Sequence, residues 1–378
     1  MFDEIAGELA VNTFTPETGA LFLCERVTKK NPDAGLPDQH DAARDLAVYL
    51  GGLPLALEQA GAYVARRRSE RFATLLVRLK RDLPGALPRP PAGYPEPAHR
   101  TYLNSINTAQ QEHPLAPTVL IILSYADPDT GFPAELLYDN DIGTSEEIDD
   151  AVAVLAELSL LTHDESGLHV HRLVQQARQL DATPEQRVDA HTTLINTLLR
   201  VFVHARNPAG NRVCQPLLPH AYHTTQTEPA SFEHRWKLAN WAAITVGSGG
   251  DPIGAVNRYE TALNLTATLG DRHPDTLTAR ANLASSYRSA GRTAEAVTLF
   301  EQVLIDSVEI LGDRHPDTLT ARANLASSYR SAGRTAEAIT LLSNAIEIAG
   351  QLDHEHPYLA SMHTTLAEWS NEERPQPG

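Results

Sequence analysis

Two cysteines in 378 residues, Cys24 and Cys214, are too few and too far apart for a disulfide framework or a zinc knuckle. Lysine is scarce too. The four present, Lys29, Lys30, Lys80 and Lys237, never follow a glycine, which excludes the Gly-Lys-Ser/Thr loop that cradles nucleotide phosphates. No stretch approaches 18 consecutive apolar residues, and the N-terminal MFDEIAGELA carries acids where an export signal needs a basic start. No Gly-x-Ser-x-Gly elbow occurs. These absences predict a reduced, cytoplasmic, non-enzymatic protein. Positive charge is also in deficit: 31 basic against 48 acidic residues leave a net charge of −17, the wrong sign for coating nucleic acid or lying on anionic lipid. What is present is ordinary core material, 42% apolar residues, over a length that predicts two or three domains.

Self-comparison finds a repeat. GDRHPDTLTARANLASSYRSAGRTAEAVTL at 270–299 returns at 312–341 with one change, Val297 to Ile339, a period of 42 residues. Within a unit Pro274 suits a helix's first turn, and Asp275 meets the positive end of its dipole. Leu277, Leu283, Ala284 and Tyr287 form an apolar stripe, and Gly291 ends the helix in a left-handed residue. Thr293 is then expected to cap a second helix through Ala296, Leu299, Phe300, Val303 and Leu304. Each unit is a helix pair. GSGGDPIGAVNRYETALNL at 247–265, aligned with SAGRTAEAVTLFEQVLIDS, is expected to be an older copy, and His356-Pro357 opens a partial fourth.

Leu283-Ala284, Tyr287, Gly291, Ala296 and Phe300 stand at the spacings of tetratricopeptide repeats, and the HPDT and GR-AEA signatures most resemble the kinesin-light-chain type. Stacked pairs give a solenoid whose concave face is built from the first helices. On that helix Thr278, Asn282, Ser285 and Ser289 share the side opposite Leu283 and Tyr287, with Arg288 at the edge. The second copy presents Thr320, Asn324, Ser327, Ser331 and Arg330. The resemblance implies an extended protein segment or peptide as partner, held by asparagines at the Asn282 and Asn324 position; the alternative is a solvated face.

Upstream, six prolines within 82–97 mark a linker. Beyond it, 101–181 reads helix, helix, helix, hairpin, helix: Pro117–Tyr125 is apolar, TSEEIDDAVAVLAEL is a capped amphipathic helix, and LSLLTHDESGLHVHRLV gives two short strands about a turn. Helices followed by a small β wing describe a winged helix. DNA is not its expected partner, because residues 101–181 hold two basic and fourteen acidic side chains.

GGLPLALEQAG at 51–61 resembles the GLPLA motif of NB-ARC domains, the nucleotide-switched modules of STAND-class signalling ATPases. GYPEPAHRTYLNSI resembles the linker into their winged helix, and LHVHRLVQQ stands where they carry a Met-His-Asp motif, here Val170-His171-Arg172. The resemblance implies that Pro54 packs on adenine and His171 reaches the β-phosphate of ADP. Without a Gly-Lys, this chain alone is expected to bind no cofactor; ADP or ATP would come only with an upstream nucleotide-binding domain.

The expected chain is mostly α: a helical NB-ARC remnant at 1–81, a linker at 82–100, a winged helix at 101–181, a helical connector at 182–240 and tetratricopeptide repeats at 241–378. No metal site is expected. His169 and His171 alternate along a strand and face apart, the His354–His356 cluster falls at a repeat boundary, and the Asp127–Gly131 and Asp139–Gly143 runs lack the glycine and glutamate of a calcium loop. The expected function is the sensor portion of a STAND-type regulator; the alternatives are a stand-alone scaffold and, further off, a transcriptional regulator.

Overall fold

A computed structural model describes residues 13–29, 39–66, 71–81, 98–138, 140–351 and 359–372. The proline-rich segment 82–97, Asp139 and residues 354–356 lie outside the described residues. The protein is mostly α, with one two-stranded hairpin as the sheet among the described residues. No described helix is long and apolar enough to cross a membrane. The chain divides into two compact units, residues 1–194 and 195–378.

In the first unit, α1 (Pro16–Thr28), α2 (His40–Tyr49), α3 (Pro54–Arg66) and α4 (Phe72–Arg81) pour their apolar stripes into one cluster. Leu23, Leu46, Leu50, Leu57, Phe72 and Leu75 are fully buried there. Helices α5 (Ala98–Glu112), α6 (Ala116–Leu123) and α7 (Ser145–Glu157) precede strands β1 (Thr162–Asp164) and β2 (Gly167–His169), then α8 (Arg172–Asp181), the element order read from the sequence. Thr144 and Glu147 close a capping box on α7. Helix α6 is apolar on nearly every side, and the carbonyls at and beyond its end are satisfied by α8. Gln175 donates to the Leu123 and Ala126 oxygens at 3.2 and 3.0 Å, and Gln179 to that of Ser124 at 2.6 Å. Leu173 of α8 is buried in the α1–α4 cluster, so α8 packs against both groups of helices.

Helix α9 (Pro184–Phe202) spans residue 194. The second unit continues with α10 (Pro208–Cys214) and α11 (Leu218–Gln226), followed by the pairs α12 (Phe232–Ser248) with α13 (Pro252–Leu265), α14 (Pro274–Ser289) with α15 (Thr293–Leu311), and α16 (Pro316–Ser331) with α17 (Thr335–Ala349), and closes on α18 (Leu359–Glu372). His273 and His315 cap α14 and α16, their Nδ1 atoms accepting from the Asp275 and Asp317 N–H groups. The second helix of a pair begins differently from expectation: Arg292, not Thr293, is the N-cap, and its side chain makes no cap bond but pairs with Glu295. Phe300 is fully buried between repeats, among Ala284, Val297 and Leu325. The older copy also departs in register. Its left-handed glycine is Gly250, and its buried pair is Ala255 and Val256, so these match Gly291, Ala296 and Val297 with a spacing one residue shorter than the later period.

Candidate functional site

Two places gather the residues that the sequence singles out, one in each unit. In the first unit α2 ends in the tight turn Gly51-Gly52, both left-handed (φ +63° and +65°), and Pro54 opens α3. His171 is not on the strand as expected. It follows β2 as the N-cap of α8, with Nδ1 accepting from the Leu173 N–H at 3.2 Å. That bond fixes the tautomer of the neutral ring, leaving Nε2 as the donor. Nε2 lies against the turn so closely that a Cβ at Gly51 would stand 1.8 Å from it. Next to it Arg172 grips Asp129 at 2.7 and 2.8 Å and lies 5.3 Å from the centre of the Tyr49 ring, whose hydroxyl accepts from Gln176 at 2.8 Å. His169 is engaged elsewhere, 2.7 Å from Ser166 Oγ.

Burial, with Arg172 adding to it, pushes the His171 imidazole down from 6.5 to about 4. The folded state therefore favours the neutral ring. The stability this gives is present above about pH 6.5 and is lost as the pH falls toward 4, reaching about 2 kcal/mol of loss near pH 5. Chemical denaturation at pH 7 and pH 5 is expected to show this loss in the wild type and a flatter profile in His171→Gln; equal slopes would refute it.

In the second unit the first helices of the pairs line three cavities. Thr278, Asn282, Thr320 and Asn324 border a slot of about 150 Å³ between the α14 and α16 repeats. Asn282, Ser285, Thr320, Asn324 and Ser327 line a cavity of about 430 Å³ that extends to Met362 of α18. Asn282, Ser285 and Ser289 line another of about 300 Å³ toward α12 and α13. The hydroxyls of Thr278, Thr320, Ser289, Ser327 and Ser331 all donate to carbonyls four residues back on their own helices, so each turns an acceptor outward. The amides provide the donors: Asn282 Nδ2 gives one hydrogen to Asn240 Oδ1 at 2.7 Å and has a second to offer.

Arg288 and Arg330 do not line these cavities. Arg330 donates to Thr335 Oγ1 at the start of α17, and Arg288 Nε is buried. Asn240 was not singled out from the sequence, although one 42-residue period counted back from Asn282 lands on it. Arg206, which lines both larger cavities from the turn between α9 and α10, carried no sequence signal because it stands outside the repeats.

The tetratricopeptide repeat family model matches residues 276–317 and 318–352. No curated protein matches. Among solved structures, the chain is similar to a Podosopora anserina protein with nearly identical, kinesin-light-chain TPR-like repeats, at 26% identity over 49% of this chain and 89% of that one, TM-score 0.42. It is also similar to BtubC (BKLC) from P. vanneervenii, at 15% identity over 54% and 90%, TM-score 0.38. A third is the Signal Transduction ATPase with Numerous Domains (STAND) protein with a tetratricopeptide repeat sensor from Pyrococcus horikoshii, at 12% identity over 97% and 61%, TM-score 0.32. The helix pairs of residues 276–352 are tetratricopeptide repeats, a scaffold suited to protein–protein interaction.

Proposed function

We propose that the chain is the sensing and regulatory part of a STAND-type signalling protein, in which the repeats bind an extended segment of a protein partner and the winged helix of residues 101–181 relays occupancy to a nucleotide switch. The observation that carries the binding role is the doubled polar face: α14 and α16 present the same Asn and Ser positions, Asn282 with Ser285 and Asn324 with Ser327, into one cavity of about 430 Å³. Outward acceptors interleaved with amide donors match the alternating N–H and C=O groups of an extended backbone. The switch role is supported by the meeting of His171 with the GLPLA turn at Gly51, 120 residues away in sequence. Here the residues fit nucleotide in part. His171 keeps a donor suited to a phosphate oxygen, Pro54 an apolar face for a base, while the phosphate cradle itself would have to come from an upstream domain.

A random dodecapeptide library screened against the full chain is expected to yield binders that lose about a hundredfold in affinity in Asn282→Ala/Asn324→Ala, since two backbone-directed amides disappear. Affinity unchanged in the double variant would remove the groove. Calorimetry with ADP should show no micromolar binding by this chain. The tetratricopeptide match taken alone fits a second reading as well, a stand-alone scaffold; a fused upstream nucleotide-binding domain whose ADP affinity is indifferent to groove peptide would support it.

A further inference from the structure

Between Asp189 and Glu228 the sequence holds no aspartate or glutamate, the longest carboxylate-free run in a chain with 48 acids. Burial explains only part of it. The run also fills exposed positions, and these carry Arg200, Val203, Arg212 and Val213, the two valines 44% and 61% exposed. None of the four lines a groove cavity. The corner between α9 and α10 is firmly held: Asn207 accepts from the Gly210 N–H at 2.7 Å, Asn211 Nδ2 donates to the Thr245 oxygen at 2.7 Å, and Cys214 Sγ donates to the Val201 oxygen at 3.4 Å. A basic and apolar face so anchored, in a protein of net charge −17, is fitted to an acidic surface. The chain carries such a surface itself. On α7 Glu146, Asp150, Ala153 and Glu157 recur at helical spacing along the exposed side, opposite the buried Ile148, Ala151 and Leu155. Residues 101–181 supply only two cations, and both are engaged, Arg172 by Asp129 and Arg178 by the Pro117 oxygen and Asp181.

We propose that the α9–α10 face of one molecule docks on the acidic α7 stripe of a second copy, Arg200 and Arg212 meeting the carboxylates while Val203 and Val213 supply the apolar centre. The two faces are unlike, so a pair of molecules keeps one of each free and the contact can propagate into a ring or a filament. Opposite charges set the partner and the orientation, and burial of the valines adds affinity. Such a contact is sensitive to salt, because the screening length shrinks from about 10 Å at 0.1 M to about 3 Å at 1 M.

Sedimentation velocity on the full chain is expected to show mass rising with protein concentration at low salt, and a dissociation constant at least about tenfold weaker at 1 M NaCl. Arg212→Glu and Asp150→Lys/Glu157→Lys should each weaken self-association about a hundredfold. All three positions are exposed, and lysine at 157, the last residue of α7, suits the negative end of the helix dipole, so these variants fold. Mixed one to one, they should form a heterodimer of wild-type affinity that grows no further, because the first keeps its acidic stripe and the second its basic face. A monomer at every concentration and salt would overturn the proposal. So would self-association indifferent to either variant, or two variants with wild-type circular dichroism that fail to complement each other. Binding of duplex DNA that depends on Arg212 would overturn it too, by giving the face to a different polyanion.

Discussion

Gly51→Ala is expected to lower the stability of the first unit by about 3 kcal/mol or more. At φ +63° any L residue pays about 1 kcal/mol for the left-handed backbone. The new Cβ would then meet His171 Nε2 at 1.8 Å, a distance no contact tolerates. The imidazole cannot simply turn aside, because its Nδ1 caps α8 at the Leu173 N–H, and losing such a cap costs about 1 kcal/mol. A double-mutant cycle isolates the clash. His171→Ala alone should cost the cap, and adding it to Gly51→Ala should restore about 1–2 kcal/mol relative to the sum of the single changes. Gly52→Ala is the control, since its Cβ would meet the Phe14 backbone oxygen at 2.1 Å and no change at position 171 can relieve that. Strict additivity of Gly51→Ala and His171→Ala in urea unfolding would show that the two do not touch.

The second large effect is expected at Phe300. Truncation to alanine should cost about 3–5 kcal/mol, the range for emptying a fully buried aromatic site. Phe300 packs on Ala284 of its own pair and on Leu325 of the next, so the cavity opens at an inter-repeat junction. In a solenoid each repeat depends on its neighbours, and weakening one junction uncouples what lies beyond it. Hydrogen exchange should therefore accelerate through α16, α17 and α18 while α12 and α13 keep more of their protection. Leu342 occupies the same place one period later, against Met362 and Ala326, and Leu342→Ala should loosen chiefly α18. Uniform acceleration across the unit in Phe300→Ala would contradict this polarity.

The parts of the fold legible in the sequence were those written in local chemistry. Proline at the start of α14 and α16, the left-handed Gly291, and the Thr144–Glu147 box act within a few residues, so pattern alone places them. The cap of α15 was misread because threonine is the better capping residue, yet the backbone at Arg292 (φ −83°, ψ 57°) leaves the helix one position earlier and the Arg292–Glu295 pair stabilises the turn. Asn240 stands a full period before Asn282, but the stretch before it, Ser231 to His234, lacks the HPDT opening that marks the first helix of the later copies. His171 illustrates the larger limit. Its spacing suggested a strand, while its place as a cap pressed on Gly51 depends on contacts between segments far apart in sequence. Arg206 shares that limit: no repeat period points to it, and only the fold places it at the groove.

Helices α14 and α16 match at all 16 positions, and the connections after them repeat almost letter for letter. Such stretches are substrates for unequal recombination, which inserts or deletes whole 42-residue periods in frame. Each product would meet the remaining helices through junctions already present in the parent, so no new interface has to evolve. The length of the solenoid can thus be inherited as a copy number and changed in one event.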